Sequence, residues 1–131
     1  MRANVFLIVT AMFEGATGVL LLLAPALVFG FLFGWREVGP ETALMGRVAG
    51  AAVLGLSAAS WLARGDDDSR ALRGLLTGLL IYNVVATVLL AFAGAILKMA
   101  GLLLWPAVVF HVALTAWSVP CLRRRRERER R

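Results

Sequence analysis

The sequence is short of the residues on which most enzymes and metalloproteins depend. It holds one cysteine, Cys121, one histidine, His111, and one tyrosine, Tyr82. A lone cysteine excludes a disulfide within the chain, a dithiol redox pair and a cysteine-rich zinc or iron–sulfur site. A lone histidine with scattered carboxylates is too little for a closed zinc site, and haem on two axial histidines would need two copies. No metal site and no cofactor are expected. No Ser-His-Asp arrangement is apparent, and no glycine-rich phosphate loop precedes a helix. Charge is scarce too. Asp, Glu, Lys and Arg together make up 17% of the chain, and half of the basic residues crowd into the last nine positions.

What fills the space is apolar. Hydrophobic residues make up 60% of the 131 positions and the mean hydropathy is +0.81, against about 45–50% apolar in a soluble domain. They fall into four blocks, at about 4–33, 43–63, 75–96 and 102–121. Each is long enough to cross a hydrocarbon core of about 30 Å as a helix. Lipid leaves helices as the available form, because it cannot satisfy open backbone groups. The expected fold is an all-α, integral membrane four-helix bundle of up-down antiparallel topology over 1–122, followed by a basic tail at 123–131. No separate soluble domain fits.

The first block resembles a signal peptide, with Arg2 ahead of it and Ala24-Pro25-Ala26 as a small-residue cleavage pattern. Glu14 interrupts the would-be apolar core, however, and the apolar run continues through Val28–Phe33. A retained helix is therefore expected. Turn chemistry separates the blocks. Gly34–Glu41 carries glycines and a proline, Asp66–Asp68 or Ser69 can cap the third helix, and Lys98–Gly101 is a tight turn. Pro106 belongs to the first turn of the fourth helix.

Basic residues set an orientation. Arg2, Arg64, Arg70, Arg73 and the tail arginines fall on one side. Arg36, Arg47 and Lys98 fall on the other. Both termini are thus expected in the cytoplasm. Trp35 and Trp105 fall at the outer boundary, and Trp61 and Trp117 near the inner one, as membrane-interface anchors. The net charge of +6 describes a tail rather than a nucleic-acid face. Arg123, Arg124, Arg125 and Arg126 are expected on anionic lipid headgroups beside the bilayer. Nucleic acid is not an expected partner. Small residues predict helix packing: Gly15 and Gly18, Gly46 and Gly50, Gly74 and Gly78, with Ala51, Gly55, Ala58 and Ala59 on the second span. Such faces suggest a homo-oligomer or a place in a larger membrane complex.

Four polar residues interrupt the spans: Glu14, Arg47, Asn83 and His111. Charge at mid-span costs several kcal/mol, so these groups should face protein or water. At a rise of about 1.5 Å per residue, Glu14 and Asn83 lie roughly 3–4 Å from the midplane on the cytoplasmic side, and His111 lies at it. An acid, an amide and an imidazole from three helices thus share one layer, and Thr115 extends the His111 face. Tyr82 points about 100° away from Asn83. Arg47 lies roughly 12 Å in depth from Glu14. It either snorkels outward or pairs with Glu37 or Glu41, or it stands at the mouth of an outward-facing cavity floored by the other three. The layer serves either as structural glue or as a site for a proton or small solute.

The words FEGATG at 13–18, APAL at 24–27, GRVAG at 46–50, YN at 82–83 and WPAVVFH at 105–111 resemble small four-helix bacterial membrane proteins of the DoxX-like neighbourhood. The resemblance implies a bundle in a bacterial inner membrane and, by association, quinone-linked or redox-stress roles. It transfers no catalytic residue. Three functions stay open on the residues alone: a binding or transport bundle, a non-catalytic accessory subunit, and a quinone-linked redox component.

Overall fold

A computed structural model describes residues 3–66 and 69–129, and over 123–129 the backbone alone is described. The described chain is all α. It runs as α1 (Ala3–Leu23), α2 (Pro25–Phe33), α3 (Pro40–Leu62), a single 3₁₀ turn (Ala63–Gly65), α4 (Arg70–Ala95) and α5 (Leu104–Glu129). Four stretches are long and apolar enough to cross a membrane: Ala3–Leu23, Pro40–Gly65, Arg70–Ala95 and Leu104–Leu122. Their outward faces carry Phe13, Val48, Val88, Leu89 and Val109, all exposed. An apolar exterior of that extent is compatible with a multi-pass membrane protein and unlike the surface of a soluble one.

The first apolar block is two helices rather than one. Pro25 has no N–H to give to the preceding turn, and its ring crowds the carbonyl of residue i−4. The chain leaves helical geometry at Ala24 (φ −140°, ψ 60°) and starts again with Pro25 at the first position of α2, where a missing N–H costs nothing. The amides of Leu27 and Val28 turn back to the Ala24 carbonyl. α2 ends on Gly34, in the left-handed region at φ 75°, with its N–H on the Gly30 carbonyl at 2.9 Å.

The other boundaries follow local chemistry. α3 opens with Gly39 as cap, Pro40 at the first position and Glu41 in the first turn. Ser69 caps α4, its Oγ accepting from the Leu72 amide at 3.0 Å. Asp66 in turn holds Ser69, accepting from its amide at 3.0 Å and from its hydroxyl. Lys98 supplies the turn after α4 from a positive φ of 56°. The fourth apolar stretch ends at Leu122, while the α5 backbone stays helical beyond it to Glu129, through Pro120.

α1 and α3 form one tight pair. A Cβ placed on Gly18 would lie 3.0 Å from the Gly50 carbonyl oxygen, and one on Gly50 would lie 2.8 Å from that of Gly18. A Cβ on Gly46 would meet the Phe29 ring and Pro25 at 2.9 Å. Gly15 leaves room for Ser57, whose hydroxyl donates to the Ala11 carbonyl at 2.7 Å. These small residues allow the two backbones to touch, which is what holds helices together where water cannot drive them.

The remaining small residues do something else. Ala51, Gly55, Ala58 and Ala59 are exposed. A Cβ on Gly55, Gly74 or Gly78 would meet nothing within 4 Å. The expected packing role thus holds for the α1–α3 seam and fails for these positions, because composition does not tell which face of a helix a neighbour takes.

α4 packs along α5, and α1 joins the two pairs. Phe6 and Leu7 of α1 enter a buried cluster with Leu72, Leu76 and Leu79 of α4 and Leu114 and Cys121 of α5. Phe13 meets Phe110 at 4.5 Å between ring centroids. At the far end the turn before α5 closes on α2, with the Leu103 amide donating to the Phe31 carbonyl at 2.9 Å. There Gly101 lies against the Phe31 and Leu32 carbonyls, leaving no space for a Cβ.

Two substitutions separate the glycine roles. Gly50→Leu forces backbone apart from backbone, and we expect it to destabilise the protein by about 1–3 kcal/mol, the range for overpacking. Gly55→Leu, on the open face of the same helix, should change stability by less than about 0.5 kcal/mol. SDS titration of the purified protein in mixed micelles, read by tryptophan fluorescence, measures both. Equal losses would mean that the α1–α3 seam lies elsewhere.

Candidate functional site

The polar layer is built from α1, α4 and α5. Glu14 comes from the middle of α1, on the face that also buries Thr10 and Gly18. Its side chain is 3% exposed, and Asn83 on α4 is fully buried. Both are therefore held inside protein rather than against the exterior.

The groups meet as two pairs. Tyr82 donates its hydroxyl to Glu14 Oε2 at 3.0 Å. His111 Nδ1 lies 2.8 Å from Asn83 Oδ1. The Asn83 amide group donates to the Leu79 carbonyl one turn earlier at 2.7 Å. The acid therefore does not bond the amide or the imidazole. Instead the Tyr82 ring stands edge-on to His111, with centroids 5.7 Å apart, and so joins the two pairs into one continuous patch. The 100° between adjacent residues of a helix explains it. Asn83 faces α5, while the same rotation carries Tyr82 toward α1. The angle that seemed to remove Tyr82 from the layer is what brings it to Glu14.

Two oxygens in this region lack partners. Glu14 Oε1 and Thr10 Oγ1, one turn apart on α1, are buried without a hydrogen-bond partner among the described residues. Buried polar atoms are nearly always satisfied, so each exception calls for a reason.

Arg47 is no part of this patch. It is exposed, and its Nε donates to the Leu22 carbonyl at 3.3 Å, about 12 Å along α1 from Glu14 at helical rise. The break before Pro25 leaves the last carbonyls of α1 without the amides of a next turn. A cation at the negative end of a helix suits that position. Arg47 thus caps α1, which neither a cavity mouth nor a Glu37 or Glu41 pair describes. Thr115 also stands apart, since its hydroxyl returns to the His111 carbonyl at 2.8 Å within α5. Ser118, fully buried, donates to the Thr115 carbonyl in the same way.

The tryptophans divide. Trp35, Trp61 and Trp105 are exposed. Trp35 meets Phe29 and Phe33 with tilted rings, and Arg64 lies 4.0 Å over the Trp61 ring. Trp117 instead packs edge-on to Phe6 at 5.8 Å, its indole nitrogen buried without a partner among the described residues. Half-buried, it packs against the core cluster of α1, α4 and α5. The Arg123–Arg126 side chains lie outside the described residues.

Among the described residues no cluster of three or more His, Cys, Asp or Glu side chains could hold a metal ion. Comparison with known proteins finds no matching family model, no matching curated protein and no matching solved structure.

Substitutions at these positions should separate cleanly. Tyr82→Phe removes the hydrogen bond to Glu14 and leaves both carboxyl oxygens buried and unpartnered, costing about 1–3 kcal/mol. Arg47→Leu loses one cap and should cost about 0.3–1 kcal/mol. Thr115→Val should lie within about 0.5 kcal/mol of wild type. Unfolding titrations in detergent give all three. A Thr115 variant more damaging than the Tyr82 variant would contradict this assignment.

Proposed function

We propose that the chain is a multi-pass protein of a bacterial inner membrane, its four spans running alternately up and down with both termini in the cytoplasm. The contacts Ala11–Ser57, Gly18–Gly50 and Leu22–Arg47 support that course for α1 and α3, because residue numbers fall on one helix as they rise on the other. The uneven division of arginines supports the orientation. The tail arginines then meet anionic headgroups of the inner leaflet.

Within this bundle the patch of Glu14, Tyr82, Asn83 and His111 binds a proton or a small polar solute. One observation carries the reading: Glu14 Oε1 is buried and unpartnered, one turn from an equally unpartnered Thr10 hydroxyl. A network that serves only to fix helix register gains by satisfying all its members, and a partly satisfied one is worse than an apolar core. Here a carboxyl oxygen is left open in a patch that also holds a phenol, an imidazole and an amide. A small species with a hydrogen to donate completes it. Acidic and imidazole groups at mid-membrane commonly carry that role in proton and solute pathways.

A second reading draws on the outward face of α3, where Ala51, Gly55, Ala58 and Ala59 lie open. Small residues there suit a larger partner helix, as in an accessory subunit.

Reconstitution tests the first reading. Wild-type protein in liposomes should carry protons or take up a small polar solute under an imposed gradient, and Glu14→Gln should lower the rate at least about tenfold, an effect of 1.4 kcal/mol or more. Identical traces from the two proteins under every gradient would end it. Recovery of a stoichiometric larger subunit from mild detergent would favour the second reading instead.

A further inference from the structure

A second feature lies apart from the polar patch, at the Arg70 end of α4. A cavity of about 570 Å³ opens there between α4 and α5, with Arg70 and Arg73 at one end and Gly74, Thr77, Gly78 and Ile81 along its length. Leu122 of α5 forms the other wall. The lining positions on α4 recur at three or four residues, so they form one stripe on one face.

The glycines explain why the groove exists. A Cβ on Gly74 or Gly78 would meet no atom within 4 Å. They are not packing against a neighbour, unlike Gly18 and Gly50. Their missing side chains lower the floor of the groove and leave it open to the bundle exterior.

We propose that this groove holds one anionic phospholipid, its phosphate at Arg70 and Arg73 and an acyl chain lying over Gly74, Thr77, Gly78 and Ile81. Two observations select that occupant. The first is charge. Guanidinium groups recognise phosphate through paired, planar N–H donors, and both arginines sit at the end of the groove where a span meets the membrane surface. The second is length. From Arg70 to Ile81 the helix rises about 16 Å, close to half of a hydrocarbon core of about 30 Å. A groove with a cationic head and one leaflet's depth of apolar floor has the shape of a phospholipid. The G-x-x-x-G spacing also suits a second copy of α4. Pairing two copies there would bring Arg70 and Arg73 of each toward the other, a like-charge contact that the interface would have to overcome.

The test uses the full chain in neutral detergent, with thermal unfolding followed by tryptophan fluorescence. Phosphatidylglycerol is added in one series and phosphatidylcholine with the same acyl chains in another. Phosphatidylglycerol should raise the midpoint to a plateau, and phosphatidylcholine should leave it in place. Arg70→Gln should weaken the apparent affinity about fivefold, the effect of one arginine beside an anionic surface. Gly78→Leu fills the floor, should leave the lipid-free midpoint unchanged, and should remove the response. Because the basic tail is intact in Gly78→Leu, a response that survives in that variant belongs to the tail and overturns the proposal. Equal shifts from the two lipids, or an equal shift from inorganic phosphate, would overturn it as well. So would a lipid-independent dimer, seen by light scattering, that Gly78→Leu converts to monomer.

Discussion

The close approach of α1 to α3 at Gly18 and Gly50 is the contact on which the rest of the architecture depends. Each glycine lies near the other's carbonyl oxygen, and neither position admits a Cβ. With the backbones in touch, the rotation of α1 about its axis is fixed. One face is committed to α3 through Ala11, Gly15 and Gly18. Phe6, Leu7 and Glu14 are then turned toward α4 and α5. A side chain on Gly18 or Gly50 would separate the pair and release that constraint. Arg47 and Ser57 reinforce the seam from either end, each donating to a carbonyl of α1.

Fixing α1 places an acid beside a tyrosine at the centre of the molecule. Below that level the interior is a cluster of leucines with Phe6 and Trp117. At the level of Glu14 it turns polar, and the helices change what they share. α1 and α4 meet through Glu14 and Tyr82, while α4 and α5 meet through Asn83 and His111. Four other hydroxyls of the spans return to their own helix. Thr87, Thr115, Ser60 and Ser118 each donate to a carbonyl three or four residues back, a local solution that asks nothing of a neighbour. Glu14 has no such recourse, and its second oxygen stays open. That contrast is why the functional reading centres on α1 rather than on the hydroxyl-rich faces.

Much of this was legible in the sequence, and the failures have physical causes. Hydropathy shows four spans, because block length and composition are one-dimensional properties. The cap at Ser69 was legible, because Ser and Asp act on amides two or three residues away. The break at Pro25 was not, since a proline within an apolar run looks like part of the run until its effect on residue i−4 is considered. The partner of Arg47 follows from that break and was hidden with it. Depth alone grouped Glu14 with Asn83 and His111, but depth does not state which helices are neighbours or how each is rotated. Tyr82 is the clearest case: the information needed was the position of α1 beside α4, which no local pattern encodes. Gly74 and Gly78 show the same limit from the other side, having the spacing of a packing motif on a face that no described helix covers.

Central to this account is the hydrogen bond that carries Tyr82 to Glu14 across the α1–α4 contact. Infrared difference spectroscopy of the purified protein reports it most directly, with the Glu14 carboxyl band identified by its loss in Glu14→Gln. Tyr82→Phe should shift that band, while Thr115→Val, with Tyr82 retained, should leave it in place. A Glu14 band at the wild-type position in Tyr82→Phe would contradict it, and the two pairs would then no longer form one site.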